Sequence, residues 1–272
     1  MLGAGPQRYL DVPGYSPNVS PYAPIPGGHP KRSVRTAREM REGLDAIGVH
    51  DALLMPDHLL LFATLPNVEW ATEISHAYNR WLAAEWLGRE PGLHGAILAC
   101  PQNPEDSIKE IQRHADTPGM VAVYLPTAGV NPLWGHARYN KLLAAIEETG
   151  LPAVLHSVSL IAPVFPAQLE QFENTFAKQI IGHTFAMMAN LVSLMHTGIP
   201  ARFPNLKFVF TEAGISWVPG MMWRLDRYYN EYRRVVPFLE DMPSEYMKRQ
   251  MWFATQPVEE PEIPAHMTET IM

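Results

Sequence analysis

Apolar positions along the chain alternate between two spacings. Ala37, Met40, Leu44 and Ile47 recur three or four residues apart and Gly48 supplies a stop, so the spacing predicts a helix. Val49 to Met55 then reads as a strand. The cycle repeats with a helix from about Val68 to Leu87, whose Trp70, Ile74, Tyr78 and Trp81 are expected to face the core. Leu93 to Ala99 is the next strand, and Asn103-Pro104-Glu105 starts a helix with Asn as cap and Pro at the first position. Met120 to Leu125 is a strand, and Tyr139 to Thr149 a helix stopped by Gly150 and Pro152. Ala153-Val154-Leu155 is a strand with His156 at its carboxyl end, and a long loop leads to a helix from about Glu173 to Thr197. Six strands, each but the last followed by a helix, predict an α/β fold with a parallel, helix-covered sheet.

The densest unit is RFPNLKFVFTEAGISWVPGMMWRLD, from Arg202 to Asp226. Lys207 to Thr211 is a short strand, Glu212 ends it, Gly214 turns the chain, and Met222, Leu225, Tyr229 and Tyr232 repeat at helical spacing. In an α/β barrel the carboxyl ends of strands face the mouth where chemistry is done, which makes Glu212 the first candidate for chemistry. A solvated loop glutamate is the alternative. The last strand is Trp252 to Thr255. No glycine fingerprint follows any strand, so an open, doubly wound dinucleotide fold has little support.

The pattern RFPxLKxxxxExGxxWxPxxxxRLD resembles the amidohydrolase-related proteins, the branch of the amidohydrolase superfamily that includes aminocarboxymuconate semialdehyde decarboxylase and gamma-resorcylate decarboxylase. AYNRWLAAEWL, LPAVLHS and PSEYMKRQMWFATQPVEEP extend the resemblance over most of the chain. It implies a TIM (β/α)8-type barrel, of which strands two to seven are recognisable. The first-strand HxH or ExH motif and the last-strand aspartate of the family have no match here. The resemblance implies metal-dependent hydrolysis or non-oxidative decarboxylation of a small cyclic or aromatic carboxylate. The alternative is an inactive, truncated barrel that survives as an interaction subunit.

The same resemblance gives roles to His156 and Glu212, and position in the chain adds His183 and Trp217. His156 is the strand-end metal ligand, with a structural histidine as the alternative. Glu212 stands where the decarboxylases place a histidine that activates bound water, and is the catalytic candidate as base or ligand. His183 and Trp217 are the substrate-side candidates: His183 faces the mouth or sits on the helix surface or in the core, and Trp217 packs the Glu212 turn or stacks on substrate. The implied cofactor is a divalent ion, zinc first, then manganese or magnesium. With the first-strand and last-strand ligands absent and His183 at most a distant third donor, binding is expected to be weak.

Composition adds exclusions. The 272 residues are 47% hydrophobic and 18% charged, which suits one soluble domain over residues 34–272 behind a Pro/Gly-rich arm at 1–33. The net charge of -7 has no basic stripe, so nucleic acid is an unexpected partner. The single Cys100 excludes an intrachain disulfide and fits the cytoplasm, and there it is a buried thiol rather than a nucleophile. No segment reads as a membrane span or signal peptide. Glu259-Glu260 reads as solvated charge, and His29, His58, His76, His114 and His196 as structural or loop residues. An incomplete barrel exposes sheet edges, so a homo-oligomer is expected.

Overall fold

The computed structural model describes residues 34–56, 59–157 and 175–255. The 1–33 arm with His29, His58 and the Glu259-Glu260 pair lie outside the described residues. Six strands form one sheet: β1 (Ala52–Leu54), β2 (Leu93–Leu98), β3 (Met120–Pro126), β4 (Ala153–His156), β5 (Phe208–Phe210) and β6 (Met251–Phe253). Each is parallel to the next and their spatial order is their sequence order. A doubly wound sheet reverses its strand order at a switch point. This one winds in a single direction and curls as part of a barrel, as the sequence implies.

The described helices are α1 (Ala37–Ala46), α2 (Val68–Glu85), α3 (Pro104–His114), α4 (Asn140–Thr149), α5 (Thr175–His196), α6 (Ile199–Arg202), α7 (Trp217–Tyr232) and α8 (Pro243–Gln250). None is long and apolar enough to cross a membrane. Side chains alternate across each strand, so the sheet has two faces with separate packing. Ile97, Val123, Leu125, Leu155, Phe208 and Phe210 pack beneath Ile111 of α3, Leu142 and Ile146 of α4, and Leu191 and Leu194 of α5. Full burial of each such side chain stabilises by about 1.5–3 kcal/mol. Ala96, Leu98, Ala122, Tyr124 and Val154 form the other, inner face with Phe62 and Ala71.

Two expectations are corrected. Trp70 and Trp81 lie near half exposure, while the buried stripe of α2 is Ala71, Ser75, Asn79 and Leu82. The physical reason is that α2 docks on strand backbone as well as on apolar side chains. β1 pairs with β2 only as far as Gly95, and beyond it the Asn79 carboxamide accepts from Leu98 N (2.8 Å) and donates to Leu98 O (3.3 Å). Ser75 Oγ donates to the same carbonyl at 2.7 Å. Small polar residues therefore take the inward stripe and the large aromatics turn outward. The first strand is also shorter than the Val49 to Met55 run, because the Arg41 guanidinium engages the carbonyls of Val49 and His50 and removes them from the ladder.

Several motif residues prove to be fasteners. Asp226 accepts from Ser244 N (2.9 Å) and Ser244 Oγ (2.6 Å), capping the first turn of α8. Gln250 Nε2 donates to Phe203 O (2.7 Å) and Leu206 O (3.1 Å), holding the turn that feeds β5. Asn103 caps α3 through Asp106 N, and Gly150 closes α4 with φ +73°, both as the sequence predicts.

Candidate functional site

The carboxyl ends of β3, β4 and β5 are locked in register by threonines. Thr127 donates to His156 O from both N (2.9 Å) and Oγ1 (2.8 Å). Thr211 donates to Leu155 O in the same two ways, at 3.1 and 2.7 Å. His156 and Glu212 thus leave neighbouring strands at one end of the sheet, as consecutive strand ends should. Glu212 then adopts φ +56°, and among the described residues it is the only non-glycine in the left-handed region. For an L-residue that conformation costs about 1–2 kcal/mol. It accompanies a carboxylate turned onto His156, with Oε2 2.7 Å from Nε2.

α5 brings the third group. Thr184 Oγ1 donates to Ala213 O at 3.2 Å, fastening α5 to the turn that carries Glu212. One residue earlier, His183 stands edge-on to His156 with ring centroids 5.3 Å apart. The Thr211 backbone lies beside His183 and favours its charged form, while the buried Nε2 has no partner among the described residues, which leaves that nitrogen for the site. One donor atom from each of His156, His183 and Glu212 lies within 4.8 Å of the others. The expectation of a distant third donor is corrected: α5 returns across the strand ends and places His183 against the other two.

Burial and charge set the protonation states. His183 is pushed down from 6.5 to about 4, chiefly by burial and then by the neighbouring His156. Glu212 is held below the usual carboxylate range by the hydrogen bond from His156, which outweighs the opposing effect of burial. Near neutral pH the site therefore offers a neutral imidazole beside an ionised carboxylate, the states in which both groups ligate cations.

The other candidates separate from this group. Trp217 is buried edge-on to Phe210 and Phe253 and spends its indole N–H on Gly214 O at 3.0 Å, so its observed contacts brace the Glu212 turn. Cys100 is buried, and burial raises its thiol. His76 meets Asp106 at 2.5 Å between α2 and α3, His114 lies 3.6 Å from buried Glu110, and His196 is exposed on α5. Sequence reasoning missed Tyr124, whose ring stands 6.4 Å from that of His156 on the inner face. Its signal was available in the two-residue alternation of β3, which places it with Ala122.

A parallel strand-helix sheet bearing two imidazoles and a carboxylate at its strand ends defines a barrel-type α/β protein with a metal-suited donor set. The chain belongs to the amidohydrolase family, whose profile matches residues 51–271. No curated protein sequence matches it. Among solved structures it is similar to an amidohydrolase from Mycobacterium avium subsp. paratuberculosis K-10, at 19% identity and TM-score 0.72 over 85% of this chain and 61% of that one. The 5-carboxyvanillate decarboxylase of Sphingomonas paucimobilis matches at 22% identity and TM-score 0.68, covering 85% of this chain and 68% of that one. A dihydroxybenzoic acid decarboxylase from Polaromonas sp. JS666, with bound manganese and 2-nitroresorcinol, matches at 18% identity and TM-score 0.65, covering 82% and 68%. This chain thus spans 61% of the length of the mycobacterial protein.

Proposed function

We propose that the chain holds a divalent cation on His156, His183 and Glu212 and serves the non-oxidative decarboxylation of a small aromatic carboxylate. The observation that carries this reading is the convergence of three donor atoms within 4.8 Å at the carboxyl ends of parallel strands. The donor set fits an ion: it offers three protein ligands, the usual number at a catalytic zinc, and the buried Nε2 of His183 has no partner among the described residues. Manganese in the Polaromonas decarboxylase makes that ion the first to try, with zinc beside it.

When bound, the ion would supply positive charge that orients a substrate carboxylate and steadies charge on a neighbouring oxygen. The protein supplies the proton. Glu212 is ionised near neutral pH and has two oxygens, so one can face the cation while the other takes a proton from a solvent water only as that proton is handed on. That proton passes to the ring carbon as the bond to the carboxylate breaks. The bonding electrons stay with the ring carbon and carbon dioxide leaves. In the ion-free site His156 Nε2 hydrogen-bonds Glu212 and keeps the carboxylate ionised and oriented, ready for both groups to turn to the ion.

The test is carbon dioxide release from 2,6-dihydroxybenzoate and 5-carboxyvanillate by the full chain with added manganese. Turnover is expected in the wild type and a drop of about 10²–10⁴-fold in Glu212→Gln, the usual worth of a positioned acid or base. Binding of the ion without release from either acid would overturn the decarboxylase reading.

A further inference from the structure

Tyr124 presents a hydroxyl that the fold itself does not use. The β3–β4 register sets Tyr124 beside Val154 and Pro126 beside His156, so Tyr124 and His156 belong to one face, one step apart. Their rings meet edge-on at 68°. The Tyr124 hydroxyl is buried without a partner among the described residues, and so is His156 Nδ1. Leaving two such atoms unpaired is unfavourable, and phenylalanine would fill the same space without that cost. Tyr78 from α2 and Glu212 from the end of β5 are the other ionisable groups felt by the phenol, and neither hydrogen-bonds it.

The two histidines differ in their outer contacts. His183 has the Thr211 backbone beside it, and its Nδ1 is not among the buried atoms left without a partner. His156 uses Nε2 on Glu212 and has no protein partner for Nδ1 among the described residues. A ligating or acid–base imidazole is fixed in tautomer and orientation by whatever its second nitrogen bonds. We propose that Tyr124 is the positioning residue for His156, its hydroxyl joined to Nδ1 through one bridging water. A hydroxyl both donates and accepts, so this link survives a change of tautomer: it donates toward Nδ1 while Nε2–H faces Glu212, and accepts once Nε2 offers its lone pair to an ion. Burial pushes the phenol pKa upward and keeps the group neutral in either role.

This inference rests on the metal reading for its functional consequence only, and two measurements separate the two. In the metal-free chain, side-chain ¹⁵N resonances of His156 report its tautomer, and Tyr124→Phe should shift Nδ1 while Tyr78→Phe leaves it in place. With zinc competed against a chromophoric chelator, Tyr124→Phe should weaken binding by about tenfold, the lower end for loss of an outer partner, without lowering the melting temperature of the metal-free protein. An unchanged Nδ1 resonance overturns the proposal, whatever the affinity. A shifted resonance in a wild type that binds no ion supports the Tyr124 link and defeats the metal reading instead.

Discussion

Glu212 joins the proposed chemistry to backbone strain at one residue. Its left-handed backbone costs about 1–2 kcal/mol, and such conformers persist where a function needs the side chain they aim. Glycine would relieve that strain and lose about 0.4–1 kcal/mol to the greater freedom of the unfolded chain. Glu212→Gly is therefore expected to unfold at the same or a slightly higher urea concentration than the wild type while losing ion binding. A large drop in midpoint would show that the conformer is not strained.

His183 gives the pH dependence. Its pKa is lowered on folding from 6.5 to about 4, so the unfolded chain takes up the proton first as pH falls. Stability from this group is thus complete above about 6.5 and is lost progressively down to about 4. Glu212, also lowered, loses its share in the same direction as it protonates. For a group as buried as His183 the loss is on the order of 3 kcal/mol. Urea titrations of the metal-free chain should show that slope, and His183→Gln should flatten its upper part.

At the scale of elements, α2 shows most clearly what the sequence discloses and what it hides. Its limits were legible from spacing, but its inward stripe was not. Periodicity ranks residues by hydrophobicity, whereas Ser75 and Asn79 are inside because they satisfy the open edge of β2. Asn79→Ala leaves Leu98 N–H and one contact of buried Glu110 unmade, and should destabilise by about 2–3 kcal/mol in chemical denaturation. A change under about 0.5 kcal/mol, typical of surface positions, would refute the edge-capping account. The site shows the same division. His156 and Glu212 were readable because strand ends are local features, flagged by a short apolar run and a turn. His183 comes from a helix 27 positions further along than His156, and no local pattern tells which way that helix returns. Among the described residues, Thr184 docked on Ala213 and the buried Met187, Leu191 and Leu194 hold that helix against the rim.

At the scale of the whole molecule, the described strands form one curled parallel sheet with two ends. Among the described residues β1 and β6 have one strand neighbour each, and Trp252 on β6 is near half exposure with the Lys207 ammonium over its ring. Strand edges with exposed aromatics recruit further chains unless covered, so self-association is proposed here. Sedimentation at micromolar concentration should show a dimer or larger species, and Trp252→Lys should shift it toward monomer. A monodisperse wild-type monomer would contradict this. The central claim concerns the rim, where three residues from β4, α5 and the end of β5 are proposed to hold one cation. Calorimetric titration of the full chain with manganese or zinc tests it most directly. One equivalent should bind, and His183→Ala should weaken it by about 10²–10⁴-fold, the share of one of three ligands in a site worth roughly 10–16 kcal/mol. Absence of stoichiometric binding, or the same affinity in His183→Ala as in the wild type, would contradict the account.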